Sequence, residues 1–159
     1  KHADRVVRLA LCDTSAYMPP AAQPIVQERI DTARKEGLAA LVDGTLARWF
    51  TPAYLKKKGP GVDMIRNIFL TSPLAGYIGC TEAIRQLNYI DELARIKIPT
   101  LVIVGADDPG TPVAAAQAIH ERIAGSRLLV IPSASHLSNI EQAEVFNRNL
   151  AGFLAPAGS

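Results

Sequence analysis

"TLVIVGADDPGTP", residues 100–112, is the stretch on which the fold turns. Its "LVIVG" portion, 101–105, is an apolar run without polar alternation. Such runs are expected of parallel strands covered on both faces. The run ends in two adjacent acids, Asp107 and Asp108, set among Gly and Pro. Downstream, "TPVAAAQAIHERIA" reads as a helix, with Thr111 as N-cap, Pro112 at the first helical position and Gly125 as the stop signal. "RLLVIP", 127–132, reads as another buried strand. Residues 100–132 are therefore a βαβ unit, whose crossover should be right-handed.

Working outward, "SNIEQAEVFNRNLAGFL" begins with Ser138 and Glu141 at capping-box spacing. It reads as one closing helix with Ile140, Phe146, Leu150, Phe153 and Leu154 on its apolar face. Upstream, "RVVRLALC", 5–12, reads as a mostly buried strand followed by a turn at Asp13 and Thr14. The segment from 16 to 98 carries no strand signal. Its helical periodicity points Ile25, Ile30, Leu38, Leu41 and Leu46 inward, and Pro52, Gly59-Pro60-Gly61 and Pro73 separate further helices. The expectation is an α/β fold: a partial core over 1–15 and 99–159, interrupted by an all-helical insertion over 16–98.

Composition excludes several classes. A formal net charge of +2 is too small to argue for nucleic acid or an acidic membrane surface. No apolar run approaches the ~20 residues that span a bilayer. Cys12 and Cys80 both lie among apolar residues and read as reduced core thiols, which suits the cytoplasm. The basic run Lys56–Lys58 reads as a solvated loop. No metal-ligand cluster is visible, so neither metal nor organic cofactor is expected.

The chemistry is expected where two strands end. Asp108 follows one strand and His136, in "IPSASHLSNIE", follows the next. In open α/β sheets ligands bind at that end. Neighbouring parallel strands lie roughly 4.8 Å apart, so their loops can bring a carboxylate to an imidazole. The acid would fix the ring's tautomer and stabilise it once protonated. Asp107 competes for the acid role. His120 lies in a charged helical stretch and should face solvent, and His2 carries no signal.

Together "GADDPGTP" and "IPSASHLSNIEQAEVFNRNLAGFL" resemble the end of an α/β-hydrolase. The match to that family's acid motif is Gly105, Asp108 and Pro112, and the match to its histidine loop is His136. "ARWFTPAYL" and "LAGYIGCTEAIRQLNYID" are similar to the lid of the 3-oxoadipate enol-lactonases, hydrolases of aromatic catabolism in the β-ketoadipate route. The resemblance implies a Ser-His-Asp mechanism with Asp108 as acid and His136 as general base. It implies a small lactone substrate bearing a carboxylate. Arg48 and Trp49 are candidates to hold it, with packing of the lid as the competing role for each. Lys56–Lys58 are weaker alternatives, and Tyr77 and Cys80 read as packing.

One departure is large. The nucleophile elbow, Gly-x-Ser-x-Gly, is absent: Ser15, Ser72, Ser126, Ser133, Ser135, Ser138 and Ser159 all lie in other contexts. In the family's chain order the serine precedes the lid. The chain also opens on "KHADRVVRLALC", without an initiator Met or a signal pattern. The expectation is the C-terminal part of a longer hydrolase, inactive by itself. Its first strand should then expose an edge that the missing half, or another chain, covers. Two rival readings stand beside this one. One is another esterase or a cofactor-free haloperoxidase-like member of the superfamily. The other is a non-catalytic module of the same fold.

Overall fold

The computed structural model describes residues 3–155. Three strands, β1 (Leu9–Cys12), β2 (Thr100–Gly105) and β3 (Arg127–Ile131), form one parallel sheet in the order β1-β2-β3. Register pairs Leu11 with Val102 and Val102 with Leu128. The apolar run of β2 is buried at every position, because among the described residues it alone has a strand on each side. The outer strands are wetter: β1 is half-buried throughout, and β3 exposes Arg127 and Val130. The strand expected over 5–12 is shorter than its apolar pattern. Residues Ala3–Arg5 form a 3-10 turn, and Val6 and Val7 are exposed.

Helices cover both faces of the sheet. On one, α6 (Val113–Arg122) buries Ala116 and Ile119 against Val102 and Val104, with Ala16 and Leu93 completing the cluster. On the other, α8 (Ala143–Leu154) buries Phe146 and Phe153 against Leu101, Ile103 and Ile131. The alternation of β2 thus feeds two separate cores. Gly125, at φ +75°, makes the turn from α6 into β3.

Five helices lie between β1 and β2: α1 (Gln23–Glu36), α2 (Val42–Trp49), α3 (Pro52–Lys56), α4 (Pro60–Thr71) and α5 (Leu74–Arg85). Their own core joins Ala33, Leu38, Val42, Leu46, Phe50, Val62 and Phe69. Burying seven such side chains at about 1.5–3 kcal/mol for each large one explains how an insertion without strands holds together. Ile30, Leu38 and Leu46 point inward as expected and Leu41 is half-buried, but Ile25 is 52% exposed and Val26 takes its place. α1 opens at Gln23 with Pro24 in its first turn, and its inward face runs through Val26, Ile30 and Ala33.

Three local expectations fail, two of them because a polar side chain bonds elsewhere than to its expected backbone partner. The closing helix is two, α7 (Ser138–Glu141) and α8, broken at Gln142 (φ −128°, ψ 50°). No capping box forms, because Ser138 and Glu141 both bond to other parts of the chain. Thr111 does not cap α6, since its hydroxyl is taken by Asp108. Ile140 packs against the helical insertion rather than the sheet, and Leu154 is exposed.

Among the described residues no helix is long and apolar enough to cross a membrane. Cys12 is half-buried and Cys80 exposed, so the second is not a core thiol. Lys56–Lys58 are exposed. His120 is half-buried, not solvent-facing, with Nδ1 2.7 Å from the Ser126 hydroxyl. His2 lies outside the described residues.

Candidate active site

β2 and β3 deliver their loops to the same end of the sheet, and the two loops interlock. Gly105 closes β2. A Cβ built there would stand 2.2 Å from the Ser135 carbonyl oxygen and 2.5 Å from that of Ala134. Only glycine permits this approach. Next to it, the Asp107 N–H donates to the Ala134 carbonyl at 2.9 Å. The Asp107 side chain is exposed. Asp108, by contrast, is buried at 3% exposure.

The Asp108 carboxylate is fully engaged. Its Oδ1 accepts the backbone N–H groups of Gly110 at 2.7 Å and Thr111 at 3.0 Å. Its Oδ2 accepts the Thr111 hydroxyl at 2.6 Å and lies 2.8 Å from His136 Nδ1. Burial pushes the carboxyl pKa up, but the hydrogen bonds from His136 and Thr111 outweigh it and hold it below the usual range. The sign for stability follows. A depressed acid stabilises the fold above the ordinary carboxylate range, and that contribution is lost as pH falls through its folded-state value. With Asp108 ionised, the proton of the neutral ring belongs on Nδ1. Nε2 is then left as an acceptor, and among the described residues nothing bonds to it.

A second acid lies beneath. Asp13, at φ +45°, ends β1 in the left-handed region. Its Oδ1 accepts the Gly105 N–H at 2.8 Å and its Oδ2 the Ser138 hydroxyl at 2.6 Å. Burial raises its pKa and the charge of Asp108 adds to that, against the two hydrogen bonds and His136. Sequence reasoning favoured a turn role for Asp13. It also passed over the Thr111 hydroxyl, although an acid followed three residues later by threonine is a familiar local pairing.

The helical insertion meets this site along one seam. The Trp49 ring lies nearly parallel to that of His136, with centroids 6.1 Å apart and planes inclined by 27°. Its other neighbour is Phe69, edge-on at 5.8 Å, which in turn meets Tyr77 edge-on. The Arg48 guanidinium donates to the Thr45 hydroxyl at 3.2 Å. Among the described residues no carboxylate pairs with it. Burial and the charge of Arg29 push its pKa down, while Tyr77 opposes them. Trp49 therefore touches the histidine, whereas Arg48 reaches the histidine loop only through its backbone carbonyl. No group of three or more His, Cys, Asp or Glu side chains among the described residues is arranged to hold a metal ion.

This sheet, with an acid and a histidine on consecutive strand ends and helices inserted ahead of them, has counterparts of known class. A model of the alpha/beta hydrolase fold matches residues 70–143. The chain has the α/β-hydrolase fold. It is 38% identical over 121 residues to 3-oxoadipate enol-lactonase 2 of Acinetobacter baylyi, a match that takes in 76% of this chain and 45% of that protein. It superposes on the crystal structure of the enol-lactonase from Burkholderia xenovorans with a TM-score of 0.91 at 38% identity, covering 97% of this chain and 58% of that one. A thermophilic esterase from Thermogutta terrifontis superposes with a TM-score of 0.87 at 28% identity, covering 97% and 57%. The chain thus spans about half the length of the curated relatives it matches.

Proposed function

We propose that this chain is the lid-and-base portion of a serine hydrolase that opens 3-oxoadipate enol-lactone to 3-oxoadipate. The observation that carries the reading is the 2.8 Å contact between His136 Nδ1 and a buried, fully hydrogen-bonded Asp108. The 38% identity to enol-lactonases supports the substrate class. In this proposal a serine outside these 159 residues gives its proton to His136 Nε2 and attacks the lactone carbonyl. Asp108 holds the ring and stabilises the imidazolium. Ring opening expels an enolate, which takes up the proton from His136 and settles as the ketone. The acyl group stays on the serine until His136 activates a water to free it. No metal or organic cofactor is called for.

The division of labour follows the fold. Residues 1–15 and 99–159 belong to the hydrolase core, and 16–98 form the lid. Trp49 supplies an apolar wall beside the base. The half-buried Arg48, without an acidic partner, is the candidate for the substrate carboxylate. The outer edge of β1, which pairs only with β2 among the described residues, is where the preceding half of the fold, or another chain, adds its strand. We place the enzyme in the cytoplasm. Similarity to the thermophilic esterase keeps simple-ester hydrolysis as the second reading.

The test is turnover. The full-length gene product should hydrolyse 3-oxoadipate enol-lactone in preference to simple carboxylic esters, and His136→Ala should abolish it. The 159 residues alone should not turn the lactone over. A preference for simple esters would favour the second reading. Activity that survives His136→Ala would remove the histidine from the mechanism.

A further inference from the structure

Glu141 is a carboxylate that the chemistry above does not use. Yet three donors converge on it. The Ser135 N–H donates to its Oε1 at 2.8 Å. The Thr51 N–H is shared between both oxygens, at 3.0 and 3.2 Å, and the Thr51 hydroxyl donates to Oε2 at 2.6 Å. Ser135 directly precedes the histidine, and Thr51 lies two residues past Trp49. Among the described residues no cation pairs with Glu141. Its charge is met by these three donors alone, all on the buried residues Thr51 and Ser135.

The same seam is fastened twice more. The Ser135 hydroxyl donates to the Arg48 carbonyl at 2.8 Å, and the Leu137 N–H donates to the Trp49 carbonyl at 3.0 Å. Residues 48–51 of the insertion and residues 135–137 of the histidine loop are therefore stitched by one backbone bond and one side-chain bond, with Glu141 closing the stitch. Both ring neighbours of His136 depend on it. Asp108 meets the ring only if the loop keeps its place, and Trp49 meets it only if the insertion does.

We infer that Glu141 is a positioning residue: its carboxylate clamps Thr51 of the lid to Ser135 of the base loop and so fixes the His136 ring between Asp108 and Trp49. This rests on the assignment of His136 as general base. The carboxylate is needed because it accepts on both oxygens. A glutamine accepts on one and presents an NH₂ group to a donor on the other side, which leaves a buried N–H or O–H unpaired.

The test uses the full-length gene product with two readouts, lactone kinetics and the downfield proton resonance of His136 Nδ1–H. Glu141→Gln should lower kcat about tenfold with KM within about twofold, because a ring slightly out of place costs rate more than binding. It should also broaden the Nδ1–H resonance. Thr51→Val, which removes one donor, should act in the same sense but less, while Thr51→Ser should behave as wild type. An unchanged kcat in Glu141→Gln overturns the inference. So does a fall in kcat with the resonance as sharp as in wild type, since the loss then does not pass through the ring. Should Glu141→Gln fail to fold, the Thr51 pair decides, and Thr51→Val indistinguishable from Thr51→Ser overturns it. If wild type shows the resonance and Glu141→Gln broadens it, but no lactone is turned over, the clamp stands and the substrate assignment falls.

Discussion

The strand-end loops and the helical insertion are held by different forces. The loops enter the apolar clusters through Ala134 and Leu137. Their shape comes from short, directional hydrogen bonds: Asp108 to Gly110, Thr111 and His136, and Asp13 to Gly105 and Ser138. The insertion is held by an apolar cluster around Leu46, Phe50 and Phe69. Outside that cluster it exposes Met64, Ile68, Leu70 and Ile84. Hydrogen bonds fix a side chain to a few tenths of an ångström and a few degrees, while apolar packing fixes volume. The difference teaches where geometry is made. Asp108 and His136 are set by the loops, and the insertion brings Trp49 up to them along a single seam.

Changes on the loop side should therefore damage chemistry far more than comparable changes in the insertion. Leaving Asp108 and His136 themselves aside, the largest effect is expected from Gly105→Ala. Its methyl would meet two backbone oxygens of the histidine loop, and no rotamer can relieve a clash with backbone. A loss of about 3 kcal/mol in stability and more than about a hundredfold in kcat/KM should appear in denaturant melts and turnover. Near-normal activity would mean that the loops are not interlocked as described.

Trp49→Ala probes the wall. Trp49 is half-buried, so the cost should be below that of a fully buried aromatic, about 2 kcal/mol. With the acid and base left in place, kcat/KM should fall about tenfold, and Trp49→Phe should restore most of it. A loss as deep as that of Gly105→Ala would erase the contrast between the two regions.

The smallest effect is expected at Asp13. Asn can keep the Gly105 N–H through its amide oxygen and face the Ser138 hydroxyl with its NH₂ group. Asp13→Asn should change stability by less than about 1 kcal/mol, whereas Asp13→Ala, which leaves both donors unpaired, should cost about 1–3 kcal/mol. A pH series sharpens this. Because burial raises the Asp13 pKa, the ionised form is penalised on folding. Wild type should lose stability relative to Asp13→Asn as pH rises from the ordinary carboxylate value through the raised one, and the gap should then stay constant. A gap that opens in the opposite direction would reverse the assigned cause.

The contrast also explains what could be read without coordinates. The βαβ unit was legible because β2 and β3 are continuous apolar runs and α6 lies between turn signals. Two consecutive parallel strands must then present Asp108 and His136 at the same end. The helices were legible as class but not at every position of their faces, since Ile25 in the insertion and Leu154 in α8 fit a periodic stripe yet are exposed. Ser138, Glu141 and Asp13 were read by local chemistry, as caps or turns. Each instead bonds where the fold carries it: Ser138 pairs with Asp13 across the chain, and Glu141 with Thr51. Partners that distant leave no mark at short spacing.

The neighbouring pair of acids offers the most direct test of the central claim, that Asp108 and not Asp107 is the acid that holds the base. In the full-length gene product Asp108→Asn should lower kcat by up to about 10⁴, as expected when the ring loses its tautomer-fixing acid. Asp107→Asn, whose side chain faces solvent, should stay within about twofold of wild type. Equal losses from the two, or a loss of only a few-fold from Asp108→Asn, would contradict the account.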